Sequence, residues 1–216
     1  MNKAWFYLAP TLLFIFLLVL VPLVTGISYA FYDFDLISGT KEFVGFDQFK
    51  RILSEDEIFT MSLVNTLFWT SSSLFFQFTF GFALALILNS GFKGIKFIQP
   101  LLFVPWAVPS FLIGLMWVWM FNPVTGPLPY IFEAIGLMDA PENILSDPDH
   151  AMWGPITANV WYGIPFFTIM LLAALKSIPG EIYEAASIDG VTRFQAFRYI
   201  TVPLIAPTII ITLLIR

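Results

Sequence analysis

Long uncharged apolar runs alternate with short polar stretches along this chain. Five runs stand out, at 4–32, 58–92, 97–132, 151–175 and 199–215. A helix that crosses the hydrocarbon core of a bilayer needs about 20 apolar residues. The first four runs reach that length. The second and third exceed it, so part of each must lie at the membrane interface. Trimmed to length, the runs predict spans at 5–31, 65–88, 97–121, 153–175 and from 202 onward. The predicted fold class is all-α, a polytopic helical bundle in a membrane, with external loops at 33–62 and 122–152 and an internal loop at 176–203.

Prolines fall inside these spans: Pro10, Pro22, Pro100, Pro105, Pro109, Pro165 and Pro207. They would break helices in water. In a membrane bundle neighbouring groups can satisfy the freed carbonyls. The fifth run reaches Arg216 only about 14 residues after Pro203. A lone arginine at membrane depth is costly, which leads us to expect that this span continues beyond the sequence in hand. Ser28-Tyr29-Ala30 could pass for a leader-peptidase site. The preceding apolar region is far longer than a signal core, and only Lys3 precedes it. The first span is therefore expected to be retained.

Basic residues orient the bundle. With the N-terminus inside, the cytoplasmic side holds Lys3, Lys93, Lys96, Lys176, Arg193 and Arg198. The outside holds Lys41, Lys50 and Arg51, and the second external loop is acidic, with Glu133, Asp139, Glu142, Asp147 and Asp149. This bias predicts a cytoplasmic N-terminus and a cytoplasmic 176–203 segment.

Composition narrows the chemistry. Of 216 residues, 58% are hydrophobic and 12% charged, with a mean hydropathy of +0.84, too little polar surface for a soluble domain of this size. The net charge of -5 lies mostly in the loops and says little about ligands. There is no cysteine, which excludes thiol redox chemistry and thiolate metal sites. The one histidine, His150, sits in an acidic loop and reads as a surface residue. No phosphate-cradling Gly-x-x-x-x-Gly-Lys-Ser/Thr occurs, so an ATP-driven process would need ATP and magnesium on another chain. No catalytic set lies at membrane depth, so an intramembrane enzyme is not indicated, and nothing points to nucleic acid. The four complete spans hold no Asp, Glu, Lys or His, which disfavours a proton relay or an ion-coupled carrier and favours a neutral cargo.

Within the fourth span Asn159, Tyr162, Gly163, Phe166 and Met170 share one helical face. An amide and a phenol can bond sugar hydroxyls, aromatic rings can stack on a pyranose, and Gly163 leaves room for a ligand. Helix–helix packing collects the same residue types, so both uses stay open for this face. Trp153 and Trp161 read as packing or interface anchors. Gln77 is polar in mid-span, with no role assigned.

The polar stretch before the fifth run carries the most information. Pro179 suits a first helical turn, and Glu181 and Glu184 lie near the positive end of the helix dipole. Ala185 and Ala186 form helix without bulk and let another surface approach. Gly190 supplies a left-handed stop. Thr192 and Gln195 have capping-box spacing, and Phe194, Phe197 and Ile200 recur at i, i+3 and i+6. Pro203 is expected to reset the chain before it re-enters the membrane. A compact helix–turn–helix of this kind suits docking into a groove on a partner; an ordinary amphipathic loop packed on its own protein is the alternative.

Glu184-Ala185-Ala186, three residues, Gly190, nine residues, then Ile200-Thr201-Val202-Pro203 resembles the EAA loop of the permease subunits of binding-protein-dependent ABC importers, with Val202 where the pattern has Leu. Weaker pieces follow the carbohydrate-uptake branch in the same order: Val44-Gly45-Phe46-Asp47-Gln48-Phe49, Asn65-Thr66, Pro105-Trp106-Ala107-Val108-Pro109-Ser110-Phe111, and Phe121-Asn122-Pro123 with Gly126. Leu145-Ser146-Asp147-Pro148 and Asn159-Val160-Trp161-Tyr162-Gly163-Ile164-Pro165 are similar to the maltose/trehalose-type sugar permeases in particular. The resemblance implies one transmembrane domain over 1–216, five spans of an expected six, in a bacterial or archaeal cytoplasmic membrane. It implies a second permease of different sequence, two ATPase subunits and an external solute-binding protein. Glu184, Ala185, Ala186, Asp189, Gly190, Phe194, Phe197, Ile200 and Pro203 would dock the ATPase. Asn159, Tyr162, Gly163 and Phe166 would line the cargo pathway. The alternative cargo is a different small solute.

Overall fold

The structure is a computed structural model that describes residues 2–35, 37–91, 93–140 and 142–216. Of the residues used above, Phe92, which closes the second run, and the side chain of Lys3 lie outside what is described. Among the described residues the regular structure is helical apart from one short hairpin. It divides into two compact units, 1–65 and 66–216, the division falling within one long helix.

In the first unit, α1 (Asn2–Ile15) runs through a wide π-helical turn at Phe16–Leu20 into α2 (Val21–Tyr29). Proline at the start of α2 takes a position where its missing N–H is not needed. The described side chains of this 25-residue apolar helix bury nothing within their own unit. An antiparallel hairpin follows, β1 (Tyr32–Phe34) on β2 (Lys41–Phe43), with Tyr32 opposite Phe43. Lys41 Nζ lies 3.9 Å from the centre of the Tyr32 ring, a cation–π contact. Then come α3 (Asp47–Ser54) and the start of α4 (Glu57–Asn89). The stretch expected as a loop to residue 62 is therefore partly helical. Asp56 caps the entry by accepting from the Phe59 N–H.

The second unit packs α4 against α9 (Trp153–Lys176) and α12 (Val202–Ile215). The buried positions of α4 are Ser73, Gln77, Gly81, Ala85 and Leu88, close to every fourth residue. From Ser73 to Ala85 the stripe is small or polar, which lets helix backbones approach where a bilayer offers no hydrophobic drive for association. At Gly81 a Cβ would collide with that of Phe167, and it would lie 3.2 Å from the Ile164 carbonyl oxygen. Phe167, Leu171, Leu175 and Ile205 complete the core.

Two expectations about the spans need correction. The third is not one straight helix: α5 (Ile95–Leu101) and α6 (Val104–Ala107) meet α7 (Ser110–Met120) at 97°. Val108 is extended, with φ -91° and ψ 125°, as the residue before a proline prefers. The fifth does not restart at Pro203. After α8 (Pro127–Ala134) and α9 come α10 (Gly180–Ile188) and α11 (Arg193–Ala196), and α11 passes through a π-helical turn at Phe197–Thr201 directly into α12. The resulting helix, Arg193–Ile215, is 23 residues long and apolar enough to span. Pro203 stands in the first turn of α12, just past that wide turn. Among the described residues four single helices have the length and composition of spans, and the bent pair makes a fifth if it counts as one.

Candidate functional site

The polar segment after α9 folds as two elements with distinct faces. Pro179 is the N-cap of α10 rather than a first-turn residue, with ψ 136°. At the other end Gly190 has φ +74°. The Val191 N–H donates to the Ala186 carbonyl at 3.0 Å and the Gly190 N–H to the Ser187 carbonyl at 3.2 Å. These two bonds are the Schellman stop, which requires a left-handed residue where Gly190 stands. Thr192 and Gln195 then form the reciprocal capping box of α11.

Exposure sorts the expected docking residues. Glu184, Ala185, Asp189, Gly190, Phe194 and Pro203 are exposed, while Ala186 is buried against its own protein. Among the described residues, no atom beyond its chain neighbours lies within 4 Å of where a Gly190 Cβ would stand. Phe194, Phe197 and Ile200 do not share a face. Phe194 is 72% exposed, whereas Phe197 and Ile200 turn inward and the Phe197 ring stacks on Phe82 at 5.9 Å. The π-helical turn begins at Phe197 and changes the residues per turn, which breaks the i, i+3, i+6 register.

The predicted stripe of α9 also divides. Asn159 and Tyr162 line a cavity of about 490 Å³, together with Ser110, Ile113, Gly114 and Trp117. That volume lies in the range of small-molecule sites. The walls are mainly apolar, and the Trp117 Nε1 is buried without a hydrogen-bond partner. Gly163 faces elsewhere: a Cβ there would collide with the Gln77 side chain. The room expected for a ligand is taken by Gln77, 1% exposed. Phe166 is half-buried against the α4–α9 core.

Two polar residues that sequence reasoning left without a role meet this stripe. Gln77 Nε2 donates to the Asn159 carbonyl at 2.9 Å. Arg216 Nε donates to Gln77 Oε1 at 3.2 Å, and Arg216 Nη2 to Asn159 Oδ1 at 3.4 Å. The guanidinium lies 5.9 Å from the centre of the Tyr162 ring. The Trp106 indole N–H donates to the Tyr162 carbonyl at 3.1 Å, tying α6 to α9. The cluster thus gathers α4, α6, α9 and α12 around neutral amide, phenol and guanidinium groups. Polar residues placed mid-helix at helical spacing were the available signal; their partners, 57 to 139 residues away, were not readable.

Among the described residues no group of three or more His, Asp or Glu side chains could hold a metal ion. Outside the spanning helices, Asp147 and His150 pair at 2.5 Å. The hydrogen bond from His150 holds the Asp147 carboxyl below the usual carboxylate range. The same bond raises the His150 imidazole above its ordinary value.

A helix-rich bundle with this capped interhelical segment defines a class. Residues 77–216, more than half of the chain, match the binding-protein-dependent transport system inner membrane component, and the chain belongs to that family, whose members are transport subunits rather than enzymes. Among relatives, it is 36% identical to the trehalose/maltose transport system permease protein MalF of Thermococcus litoralis, over 82% of this chain and 59% of that protein. It is 32% identical to the galactooligosaccharides transport system permease protein GanP of Bacillus subtilis, over 93% of this chain and 51% of that protein. The chain thus spans little more than half the length of these relatives. Among solved structures, the fold matches a bacterial ABC transporter that imports the acidic polysaccharide alginate, with TM-score 0.81, 29% identity, 99% of this chain and 71% of that one. A second match, with TM-score 0.79, 30% identity, 99% of this chain and 70% of that one, is to the bacterial alginate transporter in complex with an alginate pentasaccharide-bound periplasmic protein.

Proposed function

We propose that this chain forms part of the translocation pathway of an ATP-driven importer, for a sugar or oligosaccharide delivered by an external solute-binding protein. ATP and magnesium bind separate ATPase subunits, two per transporter, and a second permease of different sequence completes the pathway. The observation that carries this reading is the capped helix α10, whose Glu184, Ala185, Asp189 and Gly190 stand exposed on a tightly stopped helix. Such a helix can enter a cleft on an ATPase without displacing its own protein's core. The basic bias of the 176–203 segment supports a cytoplasmic position for it, with the N-terminus on the same side of a bacterial or archaeal inner membrane.

The sugar cargo is supported by the names of the relatives and by the cavity beside Asn159 and Tyr162. A neutral oligosaccharide fits the absence of ionised groups in the first four spans. One observation favours a second reading, an acidic oligosaccharide. Among the described residues Arg216 meets the neutral Gln77, Asn159 and Tyr162, and a guanidinium matches a carboxylate in bidentate geometry; an acidic-polysaccharide importer is among the structural matches.

The test is to isolate the complex from its native membrane, identify what co-purifies, and measure uptake of radiolabelled maltose, trehalose, a uronate oligosaccharide and an amino acid in proteoliposomes. Co-purification of an ATPase with ATP-dependent sugar uptake is expected. Preferential uptake of the uronate selects the second reading. Preferential uptake of the amino acid overturns both sugar readings and leaves the importer. Absence of any ATPase overturns the importer.

A further inference from the structure

The coupling segment and the spanning helix behind it are joined by a part-buried pair of hydroxyls. Tyr183, on the inner side of α10, places its phenol oxygen 2.8 Å from Thr201 Oγ1, across 18 positions of chain. Thr201 is 6% exposed. Its hydroxyl also lies 3.4 Å from the Ala196 carbonyl oxygen, five residues back. Either oxygen of the 2.8 Å pair can be the donor; when the threonine donates to the carbonyl, it accepts from the phenol.

This pair closes on a particular place in the helix. Thr201 is the last residue of the π-helical turn Phe197–Thr201, and the next N–H, that of Val202, donates to the Phe197 carbonyl five residues back. A π-helical turn inserted in an α-helix is an uncommon element, frequent at functional sites. At its other end the Phe197 ring stacks on Phe82 of α4. The wide turn is thus held from two sides, by a ring stack to α4 and by a hydroxyl pair to α10.

We infer that Tyr183 and Thr201 are positioning residues that transmit movement of α10 to the helix Arg193–Ile215, by locking α10 to the π-helical turn. The inference rests on the importer reading above and assigns it a named mechanical contact. Neither residue is on the exposed face of α10 that would meet an ATPase, so their loss should separate ATP use from transport rather than prevent docking.

The experiment uses the complete importer, purified with its own partners and reconstituted in proteoliposomes. ATP hydrolysis and cargo uptake are measured on the same sample for wild type, Tyr183→Phe, Thr201→Val, the double variant and Thr201→Ser. Tyr183→Phe keeps the ring and Thr201→Val keeps the shape, so each removes one hydroxyl. We expect each to lower cargo moved per ATP about fivefold, the scale of one neutral hydrogen bond, with ATPase association unchanged. The double variant should be no worse than either single one, because both act on one contact, and Thr201→Ser should restore wild-type coupling. An unchanged cargo-to-ATP ratio in either single variant, loss of ATPase association, additive effects in the double variant, or failure of serine to rescue would each overturn the inference. Wild type that neither hydrolyses ATP nor takes up cargo would instead overturn the importer reading itself.

Discussion

At the scale of single residues, two side-chain environments make separate demands. Gly190 holds φ +74° in the stop of α10, where any side chain adds strain of order 1 kcal/mol. Gly190→Arg adds a long cation on the exposed face as well. Uptake by the reconstituted importer should collapse while the subunit still inserts; full transport together with intact ATPase co-purification would remove the docking assignment. The His150–Asp147 pair makes a pH-dependent demand. The raised His150 contributes stability that is complete below its ordinary value of 6.5 and is lost as pH rises through its folded value. The lowered Asp147 contributes stability that is complete above its ordinary value of 3.8 and is lost as pH falls through its folded value. The contact is therefore fully effective between those two ordinary values. His150 is the only histidine, so its imidazole carbon signal in an NMR titration is unambiguous. Its midpoint should lie above 6.5 and fall in Asp147→Asn; an identical midpoint in the variant would discard the pairing.

At the scale of elements, much was legible because hydropathy and capping chemistry act locally. The apolar runs located α1–α2, α4 and α9, while Thr192 and Gln195 marked the cap of α11 and Gly190 the stop of α10. What periodicity could not register was a change of helical pitch. The π-helical turn at Phe197–Thr201 carried Phe194 away from Phe197 and Ile200 and let the helix continue past Pro203. Long-range packing was equally invisible: the partner of Gly163 is Gln77, 86 positions earlier, and no local pattern pairs them. This alters what a cysteine scan of α9 should find. Cysteines at 159 and 162, beside the cavity, should react with water-soluble thiol reagents and be protected by cargo. Cysteine at 163 should remain unlabelled, and Gly163→Leu should destabilise the α4–α9 contact by displacing Gln77, seen as a lower thermal midpoint in detergent. Equal labelling at 159, 162 and 163 would contradict this division of the stripe.

At the scale of the whole molecule, the helix Arg193–Ile215 joins the two candidate sites. Its first residues lie in the capped segment, and Arg216 just past its end meets the Asn159 amide. Replacing Arg216 with Met removes the donor to Gln77 and Asn159 while keeping much of the aliphatic stem. If cargo is acidic, uptake should fall at least about tenfold, because charge-assisted bonds are among the strong ones. If cargo is neutral, a loss of about twofold to fivefold is expected, and competition between maltose and a uronate oligosaccharide separates the two cases. The continuous path of this helix also has a geometric consequence. Its 23 residues at a rise of about 1.5 Å give a rod of roughly 34 Å. Pivoted at one end, a rod of that length swings its far tip by roughly 6 Å for a rotation of about 10°. That arc exceeds the width of a water molecule, about 2.8 Å across. A modest tilt near one end is thus a displacement of more than one water diameter at the other.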